Sequence, residues 1–141
     1  MTTTRRRRSA TGRRGSPLGL WVLFLCDAGL LIASGLIHLH LWDIAYRHVK
    51  TLDQLFLVQV VAALVLAVAL LITRRLIVVL ASLLLMAGTI VGFLLARSVG
   101  IFGFKLTFSS GLSNTVLIIE IVAVVLLAIT GLVMRRRGAR A

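Results

Sequence analysis

The sequence predicts an all-α fold, a four-helix transmembrane bundle, from three observations. Apolar residues make up 60% of the 141-residue chain, against about 45–50% in soluble domains, and mean hydropathy is +1.07. Four stretches, 18–41, 52–72, 76–96 and 112–134, each supply the run of roughly 20 apolar residues that a helix needs to cross a bilayer core of about 30 Å. The formal charge of +12 sits in short basic tracts beside those stretches. Such tracts argue for a topology signal and against nucleic acid as a partner.

Residues 1–16 are highly charged and of low complexity, and are expected to form a disordered basic tail. The apolar run that follows is longer than a 7–15-residue signal-peptide core and lacks an A-x-A-like cleavage site, so a retained anchor is expected. Ser16 followed by Pro17 is a start signal for the first helix, and Thr51 with Gln54 has the spacing of a capping box for the second. Arg74 and Arg75 interrupt an apolar stretch twice too long for one span, which places the tight turn of a hairpin there without Gly or Pro. Trp42 and Tyr46 after the first span, and Phe102, Phe104 and Phe108 before the fourth, suit segments lying at the membrane–water interface. Residues 135–141 form a basic C-terminal tail. The spanning domain is therefore 17–134.

Orientation follows from the Lys and Arg on alternating sides. One side carries Arg5 to Arg8, Arg13, Arg14, Arg74, Arg75, Arg135 to Arg137 and Arg140, and the other only Arg47, Lys50, Arg97 and Lys105. Twelve against four places both termini in the cytoplasm by the positive-inside bias. The expected location is the cell membrane, as a multi-pass protein whose basic tails also attract anionic lipid.

The segment GLIHLHLW, residues 35–42, puts two histidines in this apolar setting. At 100° per residue His38 shares a helix face with Asp27, Leu31 and Ser34, whereas His40 faces elsewhere. Gln59 joins Ala62, Ala63 and Leu66 on the second span. Ser82, Met86, Thr89, Gly92 and Ala96 align on the third, and Ser113, Glu120, Ala123 and Gly131 on the fourth. Gly88-x-x-x-Gly92 is a helix-packing motif.

A carboxylate at the bilayer centre costs about 2.5–3.5 kcal/mol even on insertion scales, so Asp27 and Glu120 require partners or a task. Counted at 1.5 Å per residue from the cytoplasmic ends, Asp27 lies roughly 14 Å deep, Glu120 roughly 21 Å, Ser34 and Gln59 roughly 20–24 Å and His38 roughly 30 Å. The spacing predicts a ladder of polar groups: Asp27, Ser34, His38, Gln59 and Glu120. Asp27 is expected to be neutral or wetted from the cytoplasmic side. In one reading Glu120 pairs with Arg97 or His38 and Asp27 bonds a Ser or Thr, which fixes helix register or holds a partner subunit. In the other, the same groups pass protons or bind a cation.

His38, His40, Asp43 and His48 have the residue types of a zinc or copper site, in loose spacing. Cys26 is the only cysteine, which excludes an internal disulfide and a Cys-rich metal site. The chain carries no phosphate loop, dinucleotide fingerprint or nucleophile motif, so neither enzymatic activity nor a cofactor is expected.

GLIHLHLW, YRHVKTLDQLFLVQVVAALVLAVALL and VGFLLARSVGIFGFK resemble stretches of small four-span membrane proteins from actinobacteria of uncharacterised function. The resemblance covers about residues 20 to 134, implies the four-helix arrangement and implies no activity. Four spans with an acid in the first are also similar to small multidrug transporters, but the second acid, the wide outer loops and the long basic tail depart from that pattern. The sequence leads to an accessory or interaction subunit of a membrane assembly, with a proton- or cation-coupled transporter using Asp27 and Glu120 as the alternative. Its expected partners are the lipid bilayer and either further copies of itself or a larger membrane complex.

Overall fold

In the computed structural model, which describes residues 17–48, 51–100 and 111–139, the chain is all α. Helix α1 spans Pro17–Leu41, α2 Leu52–Thr73, α3 Leu76–Ser98 and α4 Gly111–Gly138. All four are long and apolar enough to cross a membrane. The tail residues Arg5 to Arg8, Arg13, Arg14, Ser16 and Arg140, and the loop residues Lys50, Phe102, Phe104, Lys105 and Phe108, lie outside the described residues.

Helix α1 packs against α2 and α4, and α4 against α3, while the seam between α2 and α3 is the sparsest. The helices therefore form an up-down ring closed least tightly on its α2–α3 side. Buried positions recur at alternating spacings of three and four: Phe24, Asp27, Leu31, Ser34 and His38 on α1, and Val116, Glu120, Ala123, Leu127 and Thr130 on α4. Val79, Ser82 and Met86 continue the pattern on α3, as do Val60, Ala63, Ala67 and Leu70 on α2. This is a 3.5-residue period, the spacing of left-handed helix packing. Residues such as Val58, Val65, Leu84, Val91, Ile118 and Val125 face outward and give the bundle an apolar coat.

Lipid tails are as apolar as leucine, so these helices associate through close packing and interhelical hydrogen bonds more than through a hydrophobic force. Two glycines permit the close approaches. A Cβ at Gly35 would lie 3.5 Å from the Ala63 Cβ on α2, and one at Gly131 would lie 3.6 Å from the Val79 Cγ1 on α3. Gly88 and Gly92 behave differently from the sequence expectation: a Cβ at either meets nothing within 4 Å. Among the described residues, no other helix is pressed against them there.

The hairpin turn falls at Arg74 and Arg75 as the charge interruption predicts. Arg74 adopts the left-handed conformation, φ 48° and ψ 36°, and its N–H closes the helix on the Leu70 carbonyl. That geometry costs a non-glycine residue about 1–2 kcal/mol. Three local differences from the sequence reading have physical causes. Thr51 has φ 73° and makes no side-chain cap, because an N-cap hydroxyl needs extended backbone; the Asp53 carboxylate instead accepts the Gln54 N–H at 2.7 Å. Beyond α1 the chain runs into a π-helical turn, Trp42–Tyr46, which extends the first span. Helix α4 continues through Arg135, Arg136 and Arg137, assigned above to the tail, because nothing in that stretch breaks a helix and cations suit its C-terminal end.

Gly35→Leu is expected to lower stability by about 1–3 kcal/mol through overpacking against α2, whereas Gly88→Leu is expected to leave the melting midpoint nearly unchanged. Thermal denaturation in detergent micelles checks the contrast; equal losses would contradict the assigned packing faces.

Candidate functional site

Two polar contacts join α1 to α4. Near the end of the bundle that carries the α2–α3 turn, the Thr130 hydroxyl donates to Asp27 Oδ2 at 2.7 Å, with both side chains fully buried. Toward the opposite end, His38 Nε2 faces Glu120 Oε1 at 3.6 Å. Asp27 and His38 are eleven residues apart, and Glu120 and Thr130 ten, which is about 16 and 15 Å along antiparallel helices. The two contacts therefore agree on a single register.

The deeper placement of His38 than Glu120 expected from the sequence is corrected by this pairing. That count began α4 at residue 134, and the extra turn to Gly138 brings Glu120 level with His38. Arg97, the other partner considered for Glu120, is exposed near the end of α3, and it is His38 that Glu120 faces.

The continuous ladder also resolves differently. Leu31, Ala123 and Leu127 are fully buried between the two contacts and belong to the apolar core with Phe24, Ala67, Leu70 and Met86. The polar groups thus form two separate levels. Ser82 and Thr89 on α3 donate to the carbonyls of Val78 and Leu85 in their own helix, at 2.9 and 2.8 Å, and are satisfied there.

The His38 level has a defined chemistry. Its Nδ1 lies 2.9 Å from the Ser34 carbonyl, which only accepts, so Nδ1 carries a proton. Nε2 is left facing the Glu120 carboxyl. At 3.6 Å the pair is within ion-pair reach but beyond a hydrogen bond, and Glu120 Oε1 has no hydrogen-bond partner among the described residues. The same is true of Gln59 Nε2 on α2 and, at the other level, of Asp27 Oδ1.

Glu120, His38 and Gln59 line a cavity of about 390 Å³. Its walls include Phe56, Tyr46, Phe93 and Thr89, together with Gly88 and Gly92. Leu55 and Leu84, both exposed on the outside of the bundle, border it, so it opens sideways through the loose α2–α3 seam. Phe56 is held between two rings, Tyr46 stacked at 4.6 Å and His38 tilted at 5.3 Å. The π-helical turn positions Tyr46 for this stack. Gly88 and Gly92 add no side chain to this volume, so among the described residues the pair borders the cavity and not a packed helix.

The metal candidates do not converge. His38 is buried against Glu120, His40 is exposed, and Asp43 accepts from Arg47 at 3.3 Å while Arg47 Nε donates to His48 at 3.1 Å. Among the described residues no three His, Cys, Asp or Glu side chains come together. Cys26 is exposed on α1.

Sequence reasoning gave Asp27 a Ser or Thr partner without singling out Thr130, and it missed Phe56 and Phe93 as cavity walls. The signal for Thr130 was its place ten residues from Glu120 in a 3-4 spacing.

Thr130→Val is expected to lower stability by about 0.6–1.7 kcal/mol, the range of hydrogen bonds between membrane helices. A double-mutant cycle with Asp27→Leu, followed by reversible unfolding in bicelles, checks this; strict additivity would deny the contact. In comparison with known proteins, no protein-family model, no curated protein and no solved structure matches the chain.

Proposed function

We propose that the chain is a small, non-enzymatic integral protein of the bacterial cytoplasmic membrane, with both termini in the cytoplasm, acting as an accessory subunit of a membrane assembly that holds a lipophilic guest. The observation that carries this reading is the side-opening cavity, with Glu120 Oε1 and Gln59 Nε2 unpartnered among the described residues at its polar end. Its volume of about 390 Å³ lies within the usual range for ligand sites, roughly 300–1,000 Å³, as does its pattern of apolar walls with a few polar groups.

Chemistry narrows the guest. The Gln59 amide offers an N–H, so the guest's polar end must accept; Glu120 Oε1 offers an oxygen with no hydrogen-bond partner among the described residues, so that end must also donate or take up a proton. The remainder must be apolar enough to enter from the acyl-chain region past Leu55 and Leu84. A lipid-soluble alcohol, phenol or amide meets these terms. Buried polar groups left without such a partner are costly in hydrocarbon, which favours an occupied site.

Coupled transport is the second reading, and the presence of two buried acids on one α1–α4 seam favours it. The apolar layer of Leu31, Ala123 and Leu127 between them weighs the other way.

Mild-detergent extraction with native mass measurement and analysis of co-purified small molecules tests the first reading. A lipophilic compound is expected with the wild type, to be reduced about tenfold by Glu120→Gln and absent from Gly92→Leu, which fills the cavity. Retention by Gly92→Leu would exclude this site. In liposomes, Asp27→Asn with Glu120→Gln is expected to leave proton flux at background; pH-driven flux that disappears with this pair of changes would establish transport instead.

A further inference from the structure

A second site lies at the end of the bundle that carries the α2–α3 turn. Leu20, Trp21 and Phe24 of α1, Arg74 of the turn and Arg137 of α4 line a recess of about 210 Å³. Three separate parts of the chain converge there. The Arg74 guanidinium carbon sits 3.6 Å over the Trp21 ring, and Arg74 Nε donates to the Leu71 carbonyl at 3.3 Å. The ring contact and the bond at Nε restrain the guanidinium and leave its Nη groups as the donor surface. The turn residue Arg74, in left-handed conformation, and Arg137, on the continuation of α4 beyond residue 134, reach the same recess.

We propose that Arg74, Arg137 and Trp21 form a binding site for the phosphodiester headgroup of an anionic phospholipid. The planar fork of arginine matches phosphate oxygens in paired hydrogen bonds, and basic pockets between spanning helices take acidic lipid headgroups. A volume of about 210 Å³ exceeds the roughly 30 Å³ share of one water several-fold, so a phosphodiester has room. Phosphate is the chemistry recognised, and the surroundings favour lipid over the free ion. One wall is apolar, Leu20 and Phe24, and Leu18 and Ile72, each 74% exposed, are at the same end of the bundle, where glycerol and acyl chains would continue. The site does not depend on which leaflet this end occupies, nor on the guest of the other cavity.

The test is native mass spectrometry of the full chain transferred from micelles containing phosphatidylglycerol or, separately, phosphatidylcholine. One phosphatidylglycerol per chain is expected, at least tenfold preferred over phosphatidylcholine. Arg74→Gln with Arg137→Gln is expected to weaken retention at least fivefold. Arg75→Gln with Arg136→Gln, which removes the same charge outside the recess, is expected to stay within twofold. Arg74→Lys with Arg137→Lys keeps the charge without the fork and is expected to fall between. Each variant's melting midpoint in lipid-free micelles is compared first, and Trp21→Leu, which removes the stack but no charge, replaces the Gln pair if that pair is unfolded. Equal losses in the recess and control pairs, or equal binding of the two lipids, would overturn the proposal. Displacement of the lipid by millimolar inorganic phosphate would reassign the site to the free ion and overturn the lipid source.

Discussion

A carboxyl group cannot face acyl chains without a large penalty, and this chain carries two in its apolar helices. Both are turned inward across the same helix pair. Asp27 takes the Thr130 hydroxyl, and Glu120 meets His38 about three helical turns away. Two contacts that far apart fix both the sliding and the rotation of α1 against α4. Once this pair is set, Gly35 seats α2 on one side and Gly131 seats α3 on the other. The last seam, α2 against α3, is left to close as the remaining side chains allow. It closes poorly, and the cavity results.

Much of this was legible beforehand. Hydrophobic runs and arginine breaks gave the four helices and the hairpin turn, because length and charge alone decide what enters a bilayer. The α1 stripe of Asp27, Leu31, Ser34 and His38 is buried as periodicity suggested. On α4 the same procedure put Gly131, and not Thr130, on the face of Glu120. An ideal helix drifts about 20° per heptad from a 3.5-residue seam, and over the ten residues from Glu120 that drift conceals Thr130. Thr51 misled for a different reason: its capping spacing is correct, but its backbone is not extended.

Depth and vacancy were harder to read. The level of Glu120 depended on where α4 ends, and basic residues at a helix terminus do not distinguish a tail from one more turn. Gly88 and Gly92 match a packing motif in sequence, yet whether a small-residue notch receives a helix or borders an empty space depends on the neighbour. Here the neighbouring helices sit elsewhere, and Phe56 and Phe93 line the gap. The partner of Glu120 was undecided between His38 and Arg97 because both are within reach of a long side chain. Burial decides it, since Arg97 stays exposed near the end of α3.

The packed layer of Leu31, Ala123 and Leu127 has an electrical meaning. Moving one elementary charge through a potential of 100 mV is worth about 2.3 kcal/mol, so a membrane that stores energy as voltage tolerates no conductive thread. Two titratable levels joined by water would be such a thread. Fully buried aliphatic side chains lie between them instead, so no continuous run of polar side chains connects the two acids.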